Sequence, residues 1–450
     1  MNYARTVATE YGLVRGIVRD GCHEYLGIPY AAPPVGDLAF KHPVPPEPWS
    51  GILDAVKGPI SPVQGIGRST IALDGRDCLY LNVFVPEDVE PGAPVMVWVY
   101  GGSYANGGVG RLNEDTYELS YDMARFARET KTVCVNFNYR LNLEGFLNLH
   151  FLDKNFDQNN GIYDQILALK FVRNNIHRFG GNADNITVFG QSAGAACLLV
   201  LMGRKDTAGL FDKAIIQSAC VGSFWTEKQS QRLTYKYLKM LGVSPTHSDL
   251  ARLKDLPLDQ IHEANRRLRK LVLHEGNSNC CFSPTIDGVT IPDKPGEMAK
   301  SFSKPILIGT TSQEGDLFIM NIPNIALPLA AYWFKFKFRP GKGAHRFMSD
   351  DFTAAFYRNP AYDIARNMAG DAWVYEYRYQ TPNMLKAHSG CCHACELPLL
   401  FGKSNAYISI DDPVSQRVGE KLREIWGEFA HNGSLSWKKF KVDGEVKGIE

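Results

Sequence analysis

The chain has 450 residues, 44% of them hydrophobic and 22% charged, and a net charge of +1. That is enough apolar sequence for a large core without staples, and too little net charge to argue for a nucleic-acid partner or a membrane surface. No apolar run reaches transmembrane length. The opening residues, Met1 to Thr6, lack the charged-then-apolar build of a signal peptide. Of ten cysteines, Cys280-Cys281 and Cys391-Cys392 are adjacent pairs, and Cys134 and Cys197 lie inside apolar runs. This usage predicts reduced thiols in a cytoplasmic protein.

Residues 11 to 60 carry short β-like runs broken by turns, with a proline-rich loop from Gly27 to Gly36. Cys78 to Val85 alternates like a strand stopped by Pro86. Val95 to Tyr100 is apolar throughout, as a strand buried on both faces should be. Thr132 to Tyr139 predicts a further strand and Asp164 to Asn175 an amphipathic helix. Ile186 to Phe189 is β-prone and leads into Gly190-Gln191-Ser192-Ala193-Gly194, after which Ala193 to Met202 reads as helix. Ala214 to Ser218 and Lys304 to Gly309 predict strands, and residues 228 to 274 predict charged surface helices or part of a lid. The aromatic cluster Trp333, Phe334, Phe336 and Phe338 reads as core. A strand from Val374 to Tyr379 and a helix from Asp412 to Asn432 close the pattern. Strands alternating with helices predict one α/β domain over residues 1–450, its mostly parallel sheet covered on both faces.

Strand, sharp turn, helix is the context in which a Gly-x-Ser-x-Gly pentapeptide acts as a nucleophile elbow. Such a serine needs an oxyanion hole, a base and an acid. Tyr100-Gly101-Gly102-Ser103-Tyr104, at the end of a buried strand, supplies amides that can turn toward a ligand beside the N–H of Ala193. His393 is the candidate base: it sits in a loop, Gly390 to Pro398, that leads into an apolar segment, whereas most other histidines lie in polar stretches. Cys391, Cys392 and Cys395 around it suggest a metal, but neighbours so close in sequence cannot wrap one tetrahedral ion. Glu314, just past the strand ending at Gly309, leads as the acid, with Asp287 and Asp316 as weaker candidates.

These motifs resemble one family, the type-B carboxylesterases of the α/β-hydrolase fold, the cholinesterase and para-nitrobenzyl esterase group. Phe179-Gly180-Gly181 through Gly194 is similar to that family's first signature, and Asp77 to Val83 to its second, with Arg76 where an acid is usual. Gly27 to Ala31, Asn138 to Leu141, Asn160-Gly161 through Asp164-Gln165, Gln217-Ser218 and Ala361-Tyr362 are similar to further segments, and the likeness runs in order over roughly residues 10 to 437. It implies a triad of Ser192, Glu314 and His393, and an oxyanion hole from the N–H groups of Gly102, Ser103 and Ala193. It further implies that Trp225 lines the acyl pocket with Tyr104 at the substrate, and that Ser218 supports the acid. Ser103 departs from the family's third glycine, and Ser61 stands where Cys78 would find a disulfide partner. The loop between Ser61 and Cys78 has no tryptophan to bind choline, and the shorter chain implies a trimmed lid. The resemblance implies a serine hydrolase of small or medium carboxylic esters, working through an acyl-enzyme with no metal or organic cofactor. Thioesterases, amidases and lactonases use the same triad. A non-catalytic binding module of this kind typically loses its nucleophile, which this chain keeps. Activity should fall on the acid side as the histidine protonates. Thiol reagents at Cys392 and Cys395 should inactivate.

Overall fold

The structure is a computed structural model that describes residues 2–64, 73–112, 118–274, 281–341, 343–387 and 389–450. Cys280 and residues 65–72 of the loop between Ser61 and Cys78 lie outside the described residues.

A twelve-stranded mixed sheet organises the chain. Its strands are β1 (Tyr3–Ala8), β2 (Leu13–Arg19), β3 (Cys22–Pro29), β4 (Ile52–Asp54), β5 (Tyr80–Pro86), β6 (Ala93–Val99), β7 (Val133–Phe137), β8 (Gly181–Gln191), β9 (Lys213–Gln217), β10 (Ile306–Thr311), β11 (Ala372–Tyr377) and β12 (Val446–Ile449). The spatial order is β1-β2-β3-β5-β7-β6-β8-β9-β10-β11-β12, with β4 paired to β2. The N-terminal strands up to the β5–β7 pair run antiparallel along that path, and every pair from β7–β6 onward is parallel. The strands at the centre are buried along their whole length in β6, β9 and β10. This matches the unbroken apolar runs of a parallel sheet covered on both faces.

The structure revises several sequence boundaries. β3 continues through Pro29, inside the segment read as loop. Its register shifts between Leu26 and Ile28, where Gly27 takes φ 79° as a bulge residue. β12 has no counterpart in the sequence reading. Pro86 ends β5 from within rather than stopping it from outside.

The helices follow. They include α1 (Asn160–Asn175), α2 (Ala193–Met202), α3 (Glu227–Leu241), α4 (Leu258–His274), α5 (Leu327–Phe334), α6 (Ala344–Thr353) and α7 (Pro413–Asn432). α2 is buried on every side, as its wholly apolar and small-residue sequence requires. Asp412 caps α7, its side chain accepting the Ser415 N–H at 2.8 Å, and Gly433 ends the helix at φ 66°. Most of the buried apolar residues form one cluster around the sheet. A satellite cluster built on Ile319, Leu327, Met348, Phe352 and Tyr357 lies apart from it. Among the described residues, no helix is long and apolar enough to cross a membrane.

Candidate active site

The sheet's register brings the carboxyl ends of four strands together. Gly190 pairs with Val99, Gln191 with Gln217, and Gln217 with Gly309. The residues just past these strands therefore share one rim, where ligands bind in open α/β sheets. Ser192 follows β8 directly. It holds φ 57° and ψ −122° before α2 begins at Ala193, backbone that is sparsely populated for a residue with a side chain. The elbow fits only because Gly194 has no Cβ: one there would stand 2.2 Å from the Val99 carbonyl oxygen. The Ser192 N–H donates to the Gln217 carbonyl at 2.9 Å, which ties the turn to β9.

Glu314 lies past β10 and is fully buried. Its Oε1 accepts the Ser218 hydroxyl at 2.5 Å and the Thr311 N–H at 2.7 Å. Its Oε2 meets His393 Nδ1 at 2.5 Å. A carboxylate only accepts, so Nδ1 carries the proton. On the other side of the ring, the Gln191 amide nitrogen lies 3.1 Å from His393 Nε2 and donates to it. The two partners thus hold the tautomer whose Nε2 lone pair is available as a base. Phe318 and Tyr357 flank the imidazole, with ring centroids at 5.6 and 5.0 Å.

The glycine loop after β6 packs against the elbow. A Cβ on Gly101 would meet the Gln191 carbonyl oxygen at 2.5 Å and Ser192 Cβ at 2.9 Å. Gly102, Ser103 and Tyr104 all take positive φ, at 112°, 56° and 59°, so the loop curls and turns successive amides. Ala193 opens α2, and its N–H has no intrahelical partner.

Ser192, His393, Gly102 and Ser103 all line one cavity of ≈ 660 Å3. Its far wall is apolar: Leu317, Phe318, Trp333, Phe334, Phe352, Phe356 and Tyr357, with Lys335 beside them. Trp333 and Phe334, read from sequence as core, are thus cavity wall, and Phe338 is exposed. The segment from 228 to 274 forms helices as expected, but none of its residues lines this cavity among those described.

Other sequence candidates fall elsewhere. Trp225 and Tyr104 do not line the cavity. Trp225 pairs with Thr285 in a two-stranded ribbon. The Tyr104 ring packs edge-on against Phe146 and Phe224, and its hydroxyl lies 3.1 Å from Ser223 Oγ. The Tyr104 hydroxyl thus reaches Ser223, which lines the cavity, from behind the wall. Asp287 accepts from Gln158 and Asn159, each at 3.0 Å. Asp316 pairs with Arg346 at 2.6 Å and accepts from Ser349. Neither aspartate reaches His393. Sequence reasoning passed over Gln191 and Cys220, which line the cavity, although Gln191 lies inside the pentapeptide itself. Among the described residues, no group of three or more His, Cys, Asp or Glu side chains is arranged to hold a metal ion.

Residues 3–338 match the carboxylesterase family. The chain is 33% identical to the para-nitrobenzyl esterase of Bacillus subtilis (strain 168), over 96% of its own length and 90% of that protein's. It is 34% identical to an acetylcholinesterase of Electrophorus electricus over 70% of its length, which is 52% of that enzyme. Among solved structures, a PNB esterase superposes with a TM-score of 0.83 at 30% identity, covering 99% of this chain and 96% of the other. A thermophilic PNB esterase gives 0.82 at 29% identity with the same coverage. The chain belongs to the carboxylesterase family, and it is a serine hydrolase of carboxylic esters with the α/β-hydrolase fold.

Proposed function

We propose that Ser192 is the nucleophile, His393 the general base and Glu314 the residue that holds the imidazole. The observation that carries this reading is the His393 Nδ1–Glu314 contact of 2.5 Å, on the ring edge opposite Nε2, with Ser192 and His393 opening on one cavity. His393 Nε2 takes the hydroxyl proton as Ser192 Oγ attacks the ester carbonyl, and Glu314 stabilises the imidazolium. The oxyanion lies against the N–H groups of Gly102, Ser103 and Ala193, each contributing about 3 kcal/mol in the transition state. His393 then protonates the leaving alkoxide, and water repeats the steps on the acyl-enzyme. Gln191 holds the ring in place until the serine engages Nε2.

The substrate is a small or medium uncharged ester. The cavity volume falls within the usual range for small-molecule sites, and its aromatic wall suits an aryl or alkyl group. Nine free thiols among the described residues support a reducing compartment, the cytoplasm. A p-nitrophenyl ester chain-length series tests the assignment, with a para-nitrobenzyl ester as a further probe. Wild type should cleave short and medium acyl chains, and Ser192→Ala should be at least roughly 1000-fold slower. Hydrolysis that persists in the folded variant removes Ser192 from the mechanism.

A further inference from the structure

Cys392-His393-Ala394-Cys395 sets a cysteine on each side of the proposed base, at the two-residue gap of dithiol redox motifs. Cys391 adds a third thiol. Cys391 is fully buried and Cys395 is 8% exposed, whereas Cys392 is half-buried. Of the three, Cys392 is the one open to solvent. The Cys395 thiol lies 3.7 Å from that of Cys391. The Cys395 N–H also donates to the Cys392 carbonyl at 3.2 Å, closing one turn around His393. Cys391 is anchored instead. Its thiol donates to the Tyr377 carbonyl at 3.0 Å, and its N–H donates to Gln313 Oε1 at 3.0 Å. Gln313 precedes Glu314, so this anchor ties the thiol loop to the acid.

The hydrogen bond from Cys395 draws the Cys392 thiol below the ordinary thiol range, against burial and the Asp316 and Glu314 carboxylates. Burial holds the Cys395 thiol well above it. A half-buried, more acidic thiol in front and a protonated thiol behind are the two halves of a dithiol switch.

We propose that Cys392 and Cys395 form a reversible oxidation site that shuts the esterase off by displacing His393. The inference rests on His393 being the base. The oxidant is a hydroperoxide. The Cys392 sulfur attacks the peroxide oxygen, the O–O bond breaks, and Cys392 becomes a sulfenic acid as one water leaves. The Cys395 sulfur then attacks the Cys392 sulfur. An S–S bond forms, the S–O bond breaks, and the Cys395 proton departs with the hydroxyl as a second water. Two thiols lose two electrons, and one hydrogen peroxide becomes two waters. A dithiol reductant reverses the bridge by exchange.

A Cys392–Cys395 bridge of about 2.05 Å ties together the two side chains that flank His393 and forces the turn between them to adjust. Ala394, between them, already sits at φ 67° and has little freedom to absorb the change. The contact of 2.5 Å from Nδ1 to Glu314 has no slack. Misplacing a catalytic group by about 1 Å costs roughly 100-fold in rate.

The test is hydrogen peroxide on the purified enzyme, read by intact mass, peptide mapping and ester hydrolysis. Wild type should lose two hydrogens at a Cys392–Cys395 bridge, fall roughly 100-fold in kcat with little change in KM, and recover with dithiothreitol. Cys392→Ser should form no such bridge and keep its rate in peroxide, and Cys391→Ser should respond like wild type. Phenylarsine oxide, which bridges paired thiols, needs no variant. It should inactivate wild type, and excess dithiol should restore the rate. The proposal is overturned if no bridge forms, if a bridged enzyme keeps its rate, or if Cys392→Ser is inactivated equally. The mass readout is independent of the triad. A bridge alongside full activity in Ser192→Ala therefore overturns the nucleophile and not the oxidation site.

Discussion

Ser103, where the family resemblance implies a glycine, is strained. It holds φ 56°, a left-handed conformation that costs a residue with a Cβ about 1 kcal/mol or more. Its side chain also lines the cavity next to Ser192. Ser103→Gly should therefore raise stability by up to about 1 kcal/mol, read as a higher urea midpoint and offset in part by glycine's greater freedom when unfolded. It should also raise kcat/KM more for branched acyl groups than for acetyl esters. A fall in stability would mean that the loop, and not the serine, holds the strain. Of the residues proposed as the triad, Ser192 and Glu314 were legible because each follows a recognisable strand, β8 and β10, and His393 because its loop leads into an apolar segment. Whether Trp225 and Tyr104 line the cavity was not, because that depends on what packs around them. The aromatic wall was legible as a cluster but not as a wall. An apolar run looks the same in sequence whether it faces a core or a cavity.

At the scale of elements, the segments that carried the resemblance turn out to be joints. Asn138 to Leu141 and Asn160 to Gln165 meet through a buried ion pair. Arg140 Nε and one terminal nitrogen reach the two Asp164 oxygens at 2.9 and 2.6 Å, and the Arg140 N–H donates to Asp164 as well, at 2.9 Å. Both side chains are essentially sealed from solvent. The joint fixes α1 against the chain leaving β7. Asp164→Asn leaves a buried guanidinium without its counter-charge, and should cost on the order of 3–5 kcal/mol. Urea denaturation measures it, and a loss under 1 kcal/mol or so would mean that the pair is solvated. Arg76, where the family resemblance implies an acid, has its own partners. It donates to Glu144 at 2.9 Å and to the Leu256 carbonyl at 2.8 Å, so its charge is paired within the fold. Neither joint was readable as a contact, since each spans elements far apart in sequence. The sheet was readable, because a buried parallel strand writes itself as an apolar run. β12 was not, because Val446-Lys447-Gly448-Ile449 is short, half polar, and held only by its neighbour β11.

The molecule as a whole stores buried carboxyls whose titration sets its stability. Burial, reinforced by the charge of Glu314, pushes the Glu396 carboxyl up to about 7. One of its oxygens accepts from Gln217 at 3.1 Å, and the other has no partner among the described residues. Burial likewise pushes Glu24 up to about 7, despite its ion pair with Arg19. The ordinary value for each is 4.5. Between 4.5 and about 7 the folded chain therefore keeps protons that the unfolded chain releases. Folding is then favoured by acid, and stability declines as pH rises through that window. Asp206 works in the opposite sense, since its hydrogen bond from Arg204 lowers it, but its window lies below its ordinary 3.8, so the two effects separate on the pH axis. Glutamine cannot titrate. Glu396→Gln should therefore lose less stability than wild type between pH 5 and pH 7.5 or so, with the difference reaching roughly 3 kcal/mol at most. Urea midpoints taken across that range measure it. Parallel profiles for the two proteins would mean that Glu396 stays charged throughout and that water reaches its second oxygen.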